Sequence, residues 1–197
     1  IDGALDDKKQ AKVFAKAILH NAERLTDMVS SLLDLSRIEY GELKLNFQEI
    51  DLNNFFENFI SSISNLSKKK NINILYKPNH DGLVKGDLQA IERIMNNLID
   101  NAIKYSDEGS DIEISTVNDE KYIKVMVADS GSGISEEDQD HIFSRFYRTA
   151  SARATDNQGS GLGLAIVKHL VNNLNGDVGI DSKEQSGSIF WFSLPKN

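Results

Sequence analysis

The sequence predicts an α+β fold, a two-layer α/β sandwich with helices on one face of a mixed sheet, preceded by one long helix. Two observations support this prediction. Residues 6–40 contain neither Pro nor Gly and carry an apolar stripe at helical spacing. After Gly41, segments with strand-like alternation and segments with helical periodicity follow one another without an internal repeat.

Residues 1–42 are predicted to contribute one helix to a bundle. At about 1.5 Å per residue this helix would be roughly 50 Å long, more than a compact domain usually covers. We therefore expect partner helices in an intermolecular bundle, although a long core helix is the alternative. The apolar heptad a and d positions are Phe14, Ile18, Leu25, Met28, Leu32 and Leu35.

Residues 43–197 are predicted to form a second domain. The segment ELKLNFQEIDL (42–52) alternates as a strand should. Further strands are predicted at residues 72–76, 83–85, 111–117 and 122–129, with a closing hairpin at 176–182 and 187–195. Helices are predicted at residues 52–69, 87–105 (with Asp87 as N-cap), 136–142 and 162–174, whereas residues 148–160 show no hydrophobic period.

Composition excludes several classes of function. The chain has no cysteine, which removes disulfides, thiol nucleophiles and cysteine-bound zinc. Its net charge of −8 argues against nucleic acid as a partner. No apolar run approaches the roughly 20 residues that cross a bilayer. We therefore expect a cytoplasmic protein that contacts a membrane only through segments upstream of this chain.

The segment NNLIDNAIKYS (96–106) places three asparagines in a predicted helix. Asn97, Asn101 and Lys104 are spaced i, i+4 and i+7, so they form a polar stripe separate from the apolar face. Amide oxygens suit Mg²⁺, and a lysine one turn further on suits phosphate. Taken alone, such a stripe is more often a solvated helix face.

Two glycine-rich segments follow. DSGSGI (129–134) comes directly after a predicted strand, and Asp129 could accept a hydrogen bond from an exocyclic amine while Gly131 and Gly133 let a flat ring approach. GSGLGL (159–164) opens a helix, an arrangement that receives anions. DSGSGI alone could be an ordinary turn, and GSGLGL matches neither a P-loop nor a dinucleotide-binding fingerprint.

Between them lies IFSRFYR (142–148), in which Phe143 and Phe146 could anchor a mobile lid or could simply be core. Arg145 and Arg148 supply positive charge beside it. Each motif is weak by itself, and their order along the chain is the stronger evidence.

In this order the motifs resemble those of the catalytic, ATP-binding domain of bacterial sensor histidine kinases. NNLIDNAIKYS resembles the N box of that family, DSGSGI and GSGLGL its glycine boxes, and IFSRFYR its F box. LTDMVSSLLDLSRIEYGEL (25–43) is similar to the second helix of its dimerisation and phosphotransfer domain. The resemblance implies the Bergerat sandwich, with ATP and Mg²⁺ as ligands, a homodimer through the complete bundle, and a response regulator receiver domain as partner.

The resemblance also assigns roles to single residues. Asn97 and Asn101 would hold Mg²⁺, Lys104 a phosphate, and Arg148 the γ-phosphate, with Asn97, Lys104 and Arg148 contributing to catalysis. The remaining residues implied in nucleotide binding are Tyr105, Asp129, Gly131, Gly133, Arg145, Gly159, Gly161, Leu162, Gly163 and Ser188.

One feature of the family is missing. Its phosphoacceptor histidine has a characteristic acidic and Leu-Arg-x-Pro context, which His20, His80, His141 and His169 all lack. We expect this chain to bind ATP without phosphorylating itself. The alternatives are an ATPase of the same fold and a non-catalytic dimeric scaffold. Because related ATPases carry glutamate where Asn97 stands, and an amide cannot activate water at neutral pH, a kinase is favoured over an ATPase.

Overall fold

The computed structural model describes residues 8–68, 70–79, 83–155 and 159–196. The helices are α1 (Lys8–Glu39), α2 (Leu52–Lys68), α3 (Leu88–Tyr105), α4 (Glu136–Gln139), α5 (Ala150–Thr155) and α6 (Gly163–Asn173). The strands are β1 (Gln48–Ile50), β2 (Asn73–Lys77), β3 (Val84–Gly86), β4 (Asp111–Asn118), β5 (Tyr122–Asp129), β6 (Val178–Ser182) and β7 (Ser188–Pro195).

The main sheet is mixed. Within the described ranges its strand order is β2-β4-β5-β7-β6, with β2 parallel to β4 and the other neighbours antiparallel. Both predicted hairpins, β4 with β5 and β6 with β7, are present. The strand β1 pairs with β3 in a small two-stranded ladder.

The core lies between the main sheet and the helices on one of its faces. Alternate residues of β4, β5 and β7 point into this core, as the two-residue period of a strand requires. The apolar faces of α2, α3 and α6 cover them. The inward side chains of the three central strands include Ile112, Ile114, Ile123, Val125, Val127, Phe190, Phe192 and Leu194.

The long helix α1 is divided between two environments. Its C-terminal part packs on the sandwich, where Leu35 and Ile38 are buried and α1 contacts α6. Its N-terminal part instead exposes an apolar face, on which Phe14 and Ile18 are 54% and 70% exposed. The long-core-helix alternative therefore holds only for the last turns of α1.

Several predicted boundaries were wrong. Residues 42–47 are not a strand, because β1 is only three residues long and β3, the strand it pairs with, is equally short. Asn46 instead donates its backbone N–H to the Asp87 carboxylate at 2.7 Å. The helix predicted at 136–142 ends at Gln139. The segment without a hydrophobic period contains the short helix α5, and residues 156–158 lie outside the described part.

Across residues 8–68, 70–79, 83–155 and 159–196, no helix combines the length and the apolar character needed to cross a bilayer. His80 and the side chain of His20 lie outside what the structure describes.

Candidate functional site

The polar stripe of α3 is positioned by burial of the opposite side of the helix. Asp87 caps the first turn, where its carboxylate accepts a hydrogen bond from the N–H of Ala90 at 2.8 Å. This cap and the buried face fix the rotation of α3, so that Asn97, Asn101 and Lys104 line a cavity. The buried residues of α3 are Ala90, Ile91, Ile94, Met95, Leu98, Ile99 and Ala102.

The amide of Asn97 is oriented by its own helix. Its Nδ2 donates to the carbonyl oxygen of Arg93 at 2.8 Å, which leaves Oδ1 available as an acceptor. A methyl group on Gly163 would lie 2.7 Å from this Oδ1, so only glycine lets the start of α6 come so near. Arg93 in turn pairs with Asp34 of α1 at 2.5 Å, which ties α1 to α3 beside the site.

Asp129 ends β5 on the same cavity. Its Oδ1 accepts the N–H of Gly131 at 2.9 Å, and the N–H of Ser188 on the neighbouring strand β7 also donates to the carboxylate. Burial raises the pKa of Asp129 above its ordinary value, and these two donors offset the rise in part. The result is a partly buried carboxylate held in a fixed orientation, able to accept a hydrogen bond from a ligand.

The turn after β5 also packs against the end of α3. A methyl group on Gly131 would lie 2.6 Å from the carbonyl oxygen of Tyr105. Gly131 therefore serves close packing between two backbones, and it does not itself line the cavity. Gly133, with φ of 68°, does line it.

The glycine-rich entry to α6 faces α3 across the cavity. Gly161 has φ of 71°, and a methyl group there would lie 2.8 Å from the backbone of Phe146. The N–H of Phe146 donates to the carbonyl oxygen of Gly161 at 2.9 Å. Leu162, predicted to bind the nucleotide, is instead 1% exposed within the core, while Gly159, Gly161 and Gly163 line the cavity.

The two phenylalanines of the F-box segment have different surroundings. Phe143 is partly buried and packs on the core. Phe146 is 62% exposed, so the idea that it anchors the segment or belongs to the core is wrong. The reason is local: Phe146 has φ of 60°, and its N–H is bound to Gly161, which places the side chain outside the sandwich.

The two arginines of this segment also differ. Arg148 lines the cavity, and its Nη2 donates to the carbonyl oxygen of Ala152 in α5 at 2.7 Å. Arg145 does not line the cavity. It lies near His169, whose pKa is lowered by burial and, to a smaller extent, by the charges of Arg145 and Lys168.

The cavity has a volume of about 980 Å³. We call α3 together with the end of β5 the back wall, and residues 142–155 with 159–163 the front wall. Of the predicted site residues, Gly131, Arg145 and Leu162 lie outside the lining. The predicted residues that line it are Asn97, Asn101, Lys104, Tyr105, Asp129, Gly133, Arg148, Gly159, Gly161, Gly163 and Ser188.

Several lining residues were not predicted. Lys70 comes from the turn after α2, and Asp100 lies between the two predicted asparagines on α3. Three more, Glu23, Met28 and Ser31, come from α1. Their positions depend on how distant segments pack, which no local motif encodes.

Comparison with known proteins identifies the family. Residues 86–197, more than half of the chain, match the family model described as histidine kinase-, DNA gyrase B-, and HSP90-like ATPase. The chain is 37% identical over 190 residues to the sensor-like histidine kinase SenX3 of Mycobacterium tuberculosis (strain ATCC 25618 / H37Rv). The match covers 96% of this chain and 46% of SenX3, so the chain spans about half the length of that relative.

Solved structures agree with this assignment. The histidine kinase AdeS of Acinetobacter baumannii superposes with a TM-score of 0.76 at 28% identity, covering 94% of this chain and 85% of that one. The histidine kinase ThkA, solved in complex with the response regulator protein TrrA, superposes with a TM-score of 0.78 at 27% identity, covering 99% of this chain and 54% of that one. These neighbours confirm the predicted Bergerat sandwich. The chain therefore belongs to the family of histidine kinase-, DNA gyrase B-, and HSP90-like ATPases, and residues 86–197 lie in a catalytic, ATP-binding domain of the sensor histidine kinase type.

Proposed function

We propose that this chain is the catalytic portion of a two-component signalling kinase, which transfers the γ-phosphoryl group of Mg-ATP to a histidine on an upstream helix. Residues 1–42 would be the second helix of the dimerisation domain and residues 43–197 the catalytic domain. One observation carries the proposal: the α3 amides, Asp129 and the glycine-rich entry to α6 line the same cavity. A volume of about 980 Å³ is ample for a nucleoside triphosphate.

Asp129 would recognise the base. A carboxylate whose orientation is set by the N–H groups of Gly131 and Ser188 can accept a hydrogen bond from the amino group of adenine. Guanine presents a carbonyl oxygen at the equivalent position, and a carboxylate would repel it. Tyr105 would border the base, since it lines the cavity at the end of α3.

Cationic side chains and backbone N–H groups would hold the phosphates. Lys104 lines the cavity from the back wall and Arg148 from the front wall, so the two cations could approach a polyphosphate from opposite sides. The start of α6 adds the partial positive charge of a helix N-terminus. Gly161 and Gly163 leave no side chain between this helix and the ligand.

The amides of Asn97 and Asn101 fit a magnesium ion, because they are neutral, hard oxygen donors on one face of a helix. The Nδ2 of Asn97 is hydrogen-bonded to the carbonyl oxygen of Arg93, which fixes the amide and leaves its Oδ1 available to bind a metal ion. A bound Mg²⁺ would neutralise phosphate charge. An amide at position 97 cannot take a proton from water near neutral pH, which favours transfer to a protein nucleophile over hydrolysis.

Two protein partners are proposed, one from an exposed surface of this chain and one from a related complex. The exposed apolar face at the N-terminal end of α1 supports a homodimer through the complete bundle. A response regulator receiver domain would take the phosphoryl group onward, as the complex of ThkA with TrrA suggests. Net charge of −8 gives no reason to invoke nucleic acid. The protein would act in the cytoplasm and meet a membrane only through upstream segments.

The test uses radiolabelled phosphate in the γ position of ATP. A longer chain that includes the upstream helix should acquire an acid-labile, base-stable label in the presence of Mg²⁺, as phosphohistidine does. The present chain alone should bind ATP and acquire no label. An Asn101→Ala substitution should lower labelling and weaken the dependence of ATP binding on Mg²⁺.

Two results would contradict this proposal. If the present chain releases ADP steadily in a Mg²⁺-dependent reaction and the longer chain stays unlabelled, the protein is an ATPase. If neither chain binds ATP, the protein is a scaffold that keeps the fold without the chemistry.

A further inference from the structure

We propose that Lys70 is a positioning residue of the nucleotide site, acting through the last turn of α3. Its Nζ donates hydrogen bonds to three backbone carbonyl oxygens, those of Ile103 at 2.8 Å, Lys104 at 2.9 Å and Ser106 at 2.9 Å. An ammonium group has three N–H donors, so these contacts use its full capacity. This inference rests on the proposed binding of ATP in the cavity.

Two of these carbonyl oxygens, those of Ile103 and Lys104, are among the groups of α3 that most need a partner. The last four carbonyl oxygens of an α-helix receive no hydrogen bond from an N–H group within the helix, and they carry the negative end of the helix dipole. In α3 the N–H of Ser106 satisfies the carbonyl of Ala102, and Lys70 takes those of Ile103 and Lys104. A cation at this point satisfies two of these terminal carbonyls and offsets the local negative charge.

Lys70 is itself held in place by the turn between α2 and β2. Its backbone N–H donates to the carbonyl oxygen of Ser67 at 3.1 Å, and the N–H of Ile72 donates to the same oxygen at 3.0 Å. On the other side, the N–H of Gly109 donates to the carbonyl oxygen of Lys70 at 3.3 Å. The side chain therefore reaches the end of α3 from a backbone with few ways to move.

The last turn of α3, which Lys70 holds in place, carries residues of the site and touches others. Lys104 and Tyr105 belong to it, and both line the cavity. The carbonyl oxygen of Tyr105 lies against Gly131, whose N–H orients the carboxylate of Asp129. One ammonium group thus supports the phosphate-binding lysine directly and the base-binding carboxylate through a single backbone contact.

The electrostatic effect of Lys70 depends on the charge of the ligand. Lys70 also lines the cavity, so its positive charge acts directly on a bound anion. The same charge offsets the negative end of the α3 dipole. Without the ammonium, the uncompensated negative end of α3 would repel a triphosphate bound in the same cavity. The penalty should be large for ATP and small for adenosine, which carries no phosphate.

The experiment compares Lys70→Met with the wild-type chain by equilibrium binding of Mg-ATP and of adenosine. Methionine keeps most of the length of the side chain and removes its charge. The affinity for ATP should fall about tenfold, as expected for the loss of a cation from a helix C-terminus, whereas that for adenosine should change less than about threefold. Lys77→Met is the matched control, since Lys77 is exposed on β2 and pairs with Glu113, and it should leave both affinities unchanged.

Equal losses for ATP and adenosine in Lys70→Met would reduce Lys70 to a structural residue and overturn the proposal, as would an unchanged affinity for ATP. If Lys70→Met does not fold, NMR of the Lys70 ammonium group in the wild-type chain tests the proposal instead. A slowly exchanging Lys70 ammonium signal that shifts on addition of ATP supports the proposal, and an unprotected signal overturns it. A wild-type chain that binds no ATP would instead refute the proposed function.

Discussion

The back wall and the front wall of the cavity hold their side chains in place by different means. On the back wall, α3 buries a continuous apolar face and has a carboxylate cap at its start and an ammonium group at its end. On the front wall, the chain turns through Phe146 and Gly161, which both have positive φ, and α6 begins without a side-chain cap. The back wall is stabilised by packing and the front wall by backbone contacts in turns.

This difference predicts how each wall should respond to amino-acid substitutions. Packing distributes stability over many atoms, so damage to the back wall should affect the whole fold. Turns depend on a few residues with unusual backbone angles, so damage to the front wall should be local. Each of the following predictions tests one side of this comparison.

The largest loss of stability is expected from Leu98→Ala on the back wall. Leu98 is fully buried in the middle of α3, and truncating such a leucine leaves a cavity that costs roughly 2–5 kcal/mol. Unfolding by urea, followed by circular dichroism, measures the change. The matched control is Leu88→Ala in the first turn of the same helix, where the side chain is 42% exposed and the loss should stay below about 1 kcal/mol. Equal losses in the two variants would show that α3 is not held by packing.

A smaller and more local effect is expected from Gly161→Ala on the front wall. Alanine there meets an unfavourable φ and a backbone contact with Phe146, whereas Gly41 has a similar φ of 68° and open space around it. Gly41→Ala should therefore cost about 1 kcal/mol, and Gly161→Ala at least about 1 kcal/mol more. Only Gly161→Ala should also weaken ATP binding. Identical behaviour of the two variants in urea unfolding and ATP titration would contradict the close contact between the glycine box and the F-box segment.

The smallest change in stability is expected from Asp129→Asn, and it should be a gain. Burial raises the pKa of Asp129 in the folded state, so the charged form destabilises the fold above that pKa and the neutral form does not. Asparagine stays neutral, so the variant without nucleotide should be more stable than wild type at pH 7. The gap should close as the pH falls through the raised pKa toward about 4, the ordinary value for aspartate.

Urea midpoints at several pH values measure this gap, with Asp181→Asn on the exposed side of β6 as the control. A variant less stable than wild type at pH 7 would mean that the hydrogen bonds from Gly131 and Ser188 outweigh the cost of burying the charge.

The same contrast explains which features could be predicted from the sequence. The periodicity of Ile91, Met95 and Leu98 defined α3 and its polar stripe, because burial of one helix face determines the direction of the other. The hairpins were also predicted, since alternation and turn residues are local. Asp129 could be placed at the end of its strand for the same reason.

Features that depend on distant contacts could not be predicted. The outward position of Phe146 results from a backbone angle and a hydrogen bond to Gly161, neither of which has a composition signature. Residues 42–47 alternate like a strand but pair with no strand in the part of the chain that the structure describes. Lys70 lies more than 30 residues from the carbonyls it binds, so only the folded chain brings them together.

The central claim is that Asp129 selects adenine in the cavity between the two walls. The most direct measurement compares the equilibrium affinities of the wild-type chain and Asp129→Asn for ATP and GTP, with Mg²⁺ present and Asp181→Asn as control. We predict that the wild-type chain and the control prefer ATP by about tenfold or more and that Asp129→Asn loses this preference, since a charge-assisted hydrogen bond contributes about 1.5–3 kcal/mol. A preference for ATP that survives unchanged in Asp129→Asn would contradict the account.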